Sequence, residues 1–350
     1  MARKYSNKRM SKIEPSVQTM TFATTTTPTG VRQRTYIDLS QAASLLNRRF
    51  YRQGINWAVA GFKVTSLKTG VVSVSKLPNT WVMSNAWEKG FRAWMKMIRE
   101  ATEEAESIRP RFLDFKVYAD NEHHIAGSSA NLLPMSSSYA AGAVTTAVPG
   151  EWDYSVFEIP LSTTDASAVG GNSVSRDVIA TESSYVGPGA SGNFAVSLIE
   201  GYASGRALPN IEDPNMPEDA SLAGGNLPQN WMTALFNDGT EQDSEVIQDL
   251  ETQNNIAPYP FENDGVNTDT MYPGGANQLT GLELHDFVNI FETNVTQGIG
   301  IQRLKGGNFP CGLIAIDWTP NGDNAANLVI QVDLVPGHHR GYLCEPMTEM

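Results

Sequence analysis

The chain predicts an all-β fold, an antiparallel β-sandwich interrupted by an amphipathic helix. Three observations carry that prediction. Apolar and polar residues alternate over many short stretches, loops of Ser, Gly, Pro and Asn divide those stretches, and one segment stands out with the three-and-four spacing of a helix. Alternating βαβ units would require repeated amphipathic helices between the strands. With 350 residues, 41% of them hydrophobic, there is apolar material for one large core.

Residues 24–30 (TTTTPTG) read as a spacer, so residues 1–30 form a flexible basic arm with a Thr-rich linker, and residues 31–350 form the folded domain. Val31, Gln33, Thr35, Ile37 and Leu39 alternate with Arg32, Arg34, Tyr36 and Asp38, which makes a half-buried strand with its cations opposite the apolar set. Ile55, Trp57 and Val59 repeat the pattern. Gly61 then shifts the register as a bulge would, and Phe62 and Val64 follow. Gly70 separates this strand from residues 71–77 and suggests a hairpin-like pairing. Further strands are expected at 112–118, 152–159, 173–180 and 194–202. Residues 312–318 and 328–335 flank Pro320-Asn321-Gly322-Asp323, whose Asn-Gly pair favours a tight turn and a closing hairpin.

The helix is expected at about 85–107. Trp87, Phe91, Trp94, Ile98, Ala101 and Ala105 share one stripe, while Lys89, Arg92, Lys96 and Arg99 form another opposite it. Asn85 is placed to cap its start, with Glu88 three residues on. Residues 206–280, with seven prolines and clustered carboxylates, read as an acidic surface excursion, the longest of several long surface loops.

Charge divides along the chain. Residues 1–116 hold 20 Lys+Arg against 8 Asp+Glu, a net +12, whereas residues 117–350 hold 5 against 30, a net −25. No Lys or Arg lies between Arg206 and Arg303, a span with sixteen carboxylates, so a surface built from it repels polyanions. By contrast, Arg3, Lys4, Lys8, Arg9 and Lys12 form a cationic segment too polar to fold alone. A frayed terminus that merely aids solubility is the alternative account, and the further positive charge within folded sequence favours a mobile cationic arm.

Chemical motifs are few. The sequence has no glycine-rich phosphate loop followed by Lys-Ser/Thr, no GxSxG elbow, no HExxH and no CxxC pair, and no catalysis or cofactor is expected. The neighbouring pairs His123-His124 and His338-His339 read as polar turn residues rather than as metal ligands. The acid-rich turns 262–265 and 321–324 lack EF-hand spacing, and the tripeptide Asn294-Val295-Thr296 is a chance glycosylation match. Cys311 and Cys344 read as semi-buried thiols. No apolar run approaches the ~18 residues of a membrane span, and no apolar stretch of the kind a secretion signal needs follows the basic amino terminus.

What remains is cationic and aromatic. Residues 47–52 (NRRFYR) interleave Arg48, Arg49 and Arg52 with Phe50 and Tyr51, and with Arg32, Arg34 and the helix stripe they suggest one dense positive region. Guanidinium groups neutralise phosphate and rings stack on unpaired bases, so the combination suits single-stranded nucleic acid without base preference. Two other readings fit parts of the pattern. A β-sandwich carbohydrate-binding protein or glycoside hydrolase would use tryptophans and paired acids. A non-capsid single-strand-binding protein would use the cations without assembling.

Residues 35–64 (TYIDLSQAASLLNRRFYRQGINWAVAGFKV), 76–94 (KLPNTWVMSNAWEKGFRAW) and 332–347 (VDLVPGHHRGYLCEPM) resemble capsid proteins of small circular, replication-protein-encoding single-stranded DNA viruses, the smacovirus-like group. The resemblance covers residues 35–118 and the carboxyl end well, and the acidic middle poorly. It implies a single eight-stranded antiparallel jelly-roll β-sandwich that self-assembles into an icosahedral virion shell around a single-stranded DNA genome. Such a T=1 shell holds on the order of sixty copies. Assembly in the host cell, the nucleus included, and an outer surface that meets a host receptor go with that resemblance. By position, Arg3, Lys4, Lys8, Arg9 and Lys12 match the DNA-directed interior arm, with Arg32, Arg34, Arg48, Arg49 and Arg52 as the candidates on folded elements.

Overall fold

A computed structural model describes residues 14–103, 115–140, 143–160, 173–207, 281–291, 300–321 and 325–349. From the amino end the chain forms β1 (Thr19–Ala23), β2 (Gln33–Asp38), helix α1 (Leu39–Asn47), β3 (Ile55–Ser66) and β4 (Gly70–Lys76). A long insertion follows. It holds α2 (Trp81–Ala101), α3 (Asn121–Ala126), β5 (Met135–Ala140), β6 (Ala143–Thr146), β7 (Val156–Pro160), β8 (Ser173–Ile179), β9 (Phe194–Ser197) and α4 (Leu198–Ala207). The main sheets resume with β10 (Glu283–Ile290), β11 (Gly300–Phe309), β12 (Leu313–Pro320) and β13 (Val329–Leu334), and the short β14 (Pro336–Gly337), β15 (Gly341–Tyr342) and β16 (Cys344–Pro346) close the chain.

The fold is mostly antiparallel β, as an all-β sandwich requires. One sheet has the order β1-β13-β3-β11, with β16 continuing the pairing along the start of β3, and the other has the order β10-β4-β12-β2. First therefore pairs with last: β1 with β13, β2 with β12, β3 with β11 and β4 with β10, all antiparallel. Two expected hairpins are corrected by this order. β3 and β4 lie in different sheets, as do β12 and β13, so the chain crosses the sandwich at both turns instead of doubling back. Turn residues mark where a strand stops, not which sheet the next one joins.

Two cores explain the hydrophobic pattern. Phe22, Ile37, Trp57, Phe62, Val64, Val72, Ile316, Trp318 and Val332 meet between the sheets. A second core packs Tyr36, Leu313 and Ala315, on the far face of β2 and β12, against Trp87, Trp94, Phe115, Phe157 and Val178 of the insertion. The apolar run 313–316 has no alternation because both faces of β12 are covered. Each large side chain buried this way contributes about 1.5–3 kcal/mol. The register of β13 on β3 slips between Asp333 and Leu334, opposite Gly61 and Val59, at the expected bulge.

Other element boundaries moved. α2 begins at Trp81, with the Thr80 hydroxyl accepting from the Met83 N–H at 3.4 Å, so Asn85 lies inside the helix and its amide donates to the Tyr202 hydroxyl at 3.3 Å. Residues beyond 103 of the expected helix lie outside the described residues. In the expected strand 112–118, residues 115–118 form only an isolated bridge, Tyr118 to Ile179. The expected strand 194–202 is β9 turning directly into α4. The His123-His124 pair is no polar turn. Both rings are fully buried in α3, His123 facing Asn131 at 2.8 Å and His124 facing Asp177 at 3.1 Å. Cys311 is buried and Cys344 half-buried, both as free thiols.

Candidate nucleic-acid interface

The arginine loop is held from below by Asp38. Its Oδ1 accepts from the Ser40 and Gln41 N–H groups at 2.9 and 3.2 Å and so caps α1, while Oδ2 accepts from Gln53 Nε2 and Trp152 Nε1, each at 3.1 Å. Gln53 in turn bonds both the N–H and the C=O of Val117, which ties the loop to the insertion. Burial lifts the Asp38 carboxyl to about 6 even with four donors on it.

α1 ends at Arg48 in the left-handed conformation, φ 57° and ψ 33°, a place helices usually give to glycine. An L side chain there costs about 1–2 kcal/mol. From that corner Arg48, Arg49, Phe50 and Arg52 are exposed, whereas Tyr51 turns inward against Trp57 and Tyr342. Arg340, also at positive φ (50°), joins them from the carboxyl-terminal segment and donates to the Phe50 carbonyl at 2.5 Å. Among the described residues only Arg49 of this group has a carboxylate partner, the exposed Glu14, and exposed pairs of this kind hold weakly. Burial and the neighbouring Arg340 hold His339 below the ordinary imidazole value, so it adds little charge at neutral pH.

The base of the amino-terminal arm is fixed at the same place. The Val17 N–H donates to Asn47 Oδ1 at 2.9 Å, the Tyr342 hydroxyl to the Val17 carbonyl at 2.6 Å, and Gln18 Nε2 to the Gly341 carbonyl at 3.1 Å. Arg3, Lys4, Lys8, Arg9 and Lys12 themselves lie outside the described residues, but the chain that bears them joins the fold beside Arg49.

Arg32 and Arg34 belong elsewhere, which corrects the expectation of one continuous positive region. Arg34 binds Asp317 through two parallel bonds, Nε to Oδ1 at 2.8 Å and Nη2 to Oδ2 at 2.9 Å, and donates through Nη1 to Asp120 at 3.1 Å. Arg32 bridges Asp317 and Glu122. Burial lifts the Asp120 carboxyl above its usual range, against the pull of its bonds from the Tyr36 hydroxyl and the His123 N–H. These two arginines fasten β2 and β12 to α3, and their charge is spent on three carboxylates. The α2 stripe is also engaged in part, with Arg92 on Glu88 and Lys89 over the Tyr202 ring at 6.0 Å.

Positive charge appears again on the outward face of the β1-β13-β3-β11 sheet. Phe62, Val64 and Leu304 point into the core, so Lys63, Arg303 and Lys305 point out, with Lys63 and Arg303 directly paired across β3 and β11. The opposite sheet has its far face partly covered by the insertion, in which the acidic tract 206–280 also falls.

Between the arginine loop, α2 and the carboxyl-terminal segment lies a cavity of about 550 Å³, lined by Phe50, Arg52, Trp87, Phe91, Phe115 and Arg340 among others. Trp87 and Phe91 belong to the core stripe that the sequence predicts and line the cavity from it, whereas Arg340 is not among the cations the sequence singles out. The readable signal was a cation beside Gly341 in the segment 336–342 (PGHHRGY). Compared with family models, curated proteins and solved structures, the chain finds no match.

Proposed function

We propose that this chain is the coat protein of a small single-stranded DNA virus, a shell subunit without catalysis whose work is assembly and genome enclosure. The observation that carries this reading is the strand order. Numbering β1–β4 and β10–β13, the strands that make up the two main sheets, one to eight along the chain, the sheets read 1-8-3-6 and 5-4-7-2, a ribbon of four first-with-last pairs rolled over on itself. This order supports reading the sandwich as a jelly roll, an architecture of viral shells that is also shared by lectins and cupins. The cations favour the shell over those relatives. The arm base, Arg48, Arg52 and Arg340 at one end, and Lys63, Arg303 and Lys305 on the uncovered sheet face, supply a phosphate-facing side.

Exposed apolar side chains Leu67, Phe291 and Ile301 sit at the other end, where β3 turns into β4 and β10 ends, and they suit contact between copies. The partners are then about sixty copies of the chain itself and the enclosed single-stranded DNA, within a virion.

Recombinant full-length protein should form uniform closed particles in negative-stain microscopy and protect nucleic acid from nuclease. Deleting residues 2–12 should leave the particles and lower their nucleic-acid content. Monomers at every protein and salt concentration would overturn the proposal.

A further inference from the structure

The cavity behind the arginine loop has its own chemistry. We propose that it is a nucleotide pocket, taking one unstacked base among Phe50, Phe91 and Trp87 and the attached phosphate on Arg52 and Arg340. The inference rests on the reading of this end as the nucleic-acid side of a shell subunit, and it adds a discrete site to what would otherwise be diffuse charge.

Three observations converge on it. The walls are rings: Trp87 and Phe91 stack at 5.1 Å with planes 12° apart, Phe115 tilts against both at 6.0 Å, and Phe50 stands at the edge with 45% of its surface exposed. Trp87 and Phe91 use a face on each other, so the ring surface open to a stacked base is that of Phe50 and the exposed part of Phe91. The volume, about 550 Å³, is that of a small-molecule site. Among the described residues the lining contains two arginines and a histidine and no carboxylate, and Arg52 has no side-chain partner, so the expected ligand is an anion. Gly54 fits this arrangement. A Cβ there would run into the six-membered ring of Trp87, so the bare backbone makes room for the indole in the cavity wall.

An aromatic box with arginines at its mouth distinguishes a nucleotide from either of its halves. Inorganic phosphate finds nothing to stack on, and an uncharged nucleoside leaves the guanidinium groups unused.

The full-length protein should be titrated with the four deoxynucleoside 5′-monophosphates, with deoxythymidine and with inorganic phosphate, following tryptophan fluorescence and calorimetric heat. The expected result is saturable quenching by all four nucleotides within about fourfold of one another, and binding at least tenfold weaker for deoxythymidine and for phosphate. Phe50→Ala and Arg52→Ala, both at exposed positions, should each weaken nucleotide binding at least fivefold, whereas Arg34→Ala should leave it unchanged. Equal response to phosphate alone, no saturation by any nucleotide, or wild-type binding by Phe50→Ala and Arg52→Ala would each overturn the pocket. Particles that protect DNA without binding mononucleotides would sink this inference and keep the coat-protein reading. Nucleotide binding by a protein that never assembles would do the reverse.

Discussion

Two groups of arginines, each dense in sequence, end in opposite circumstances. Arg32 and Arg34 meet Asp317, Asp120 and Glu122 and become a clasp between the sandwich and α3. Among the described residues Arg48, Arg52 and Arg340 meet no carboxylate, and the buried acid beneath their loop, Asp38, is satisfied by four neutral donors instead. Cation density alone therefore does not make a nucleic-acid surface. What decides is whether the fold brings acids to the same place, since a guanidinium already bound in parallel to a carboxylate has little left for phosphate.

The sharpest way to break this contrast is Arg34→Ala. It leaves the fully buried Asp120 without its cation and should lower unfolding free energy by about 3 kcal/mol in urea titration, with affinity for oligothymidylate unchanged. Lost DNA affinity at retained stability would erase the distinction between the two groups. A smaller effect concerns Asp38. Its folded value of about 6 exceeds the ordinary 3.8, so the folded state takes up a proton first and this group stabilises the fold as pH falls through 6 toward 4. Asp38→Ser lacks that gain. Its destabilisation relative to the parent should be larger at pH 5 than at pH 7, by about 1 kcal/mol. The smallest effect sharpens the comparison most. Arg48→Gly relieves the left-handed strain and should hold stability or raise it by about 0.5 kcal/mol, while the slope of log affinity against log salt for single strands falls by about 0.7. Stability and binding then move apart at one residue, which a purely structural arginine would not allow.

Much of the architecture was legible because it is local. Alternation at 33–38 and 55–66 marks strands, Gly61 marks the slip in register, and the Trp87–Phe91–Trp94 spacing marks α2. Partner choice was not legible. β12 reads as half of a hairpin with β13, yet its neighbours are β2 and β4, because burial on both faces of β12 carries no signal of which edge it joins. The short α1 was missed since Asp38, its cap, also completes the alternation of the preceding strand. At the site, Arg48, Arg49 and Arg52 were readable as a cluster with rings. Arg32 and Arg34 were misplaced because a strand pattern tells which face a side chain takes but not that Asp317 and Glu122 wait on that face. Arg340 comes from 288 residues beyond Arg52, a separation that composition cannot bridge.

The first-with-last pairing has a consequence for biosynthesis. Thr19 of β1 bonds Asp333 of β13, 314 residues later, so the strand that anchors the arm has no partner until nearly all of the polypeptide has left the ribosome. At ordinary elongation speeds that wait is roughly 15–60 s. In the nascent chain β1 thus waits for β13 through most of translation, and the strand pairing that fixes the base of the arm forms only at the finish.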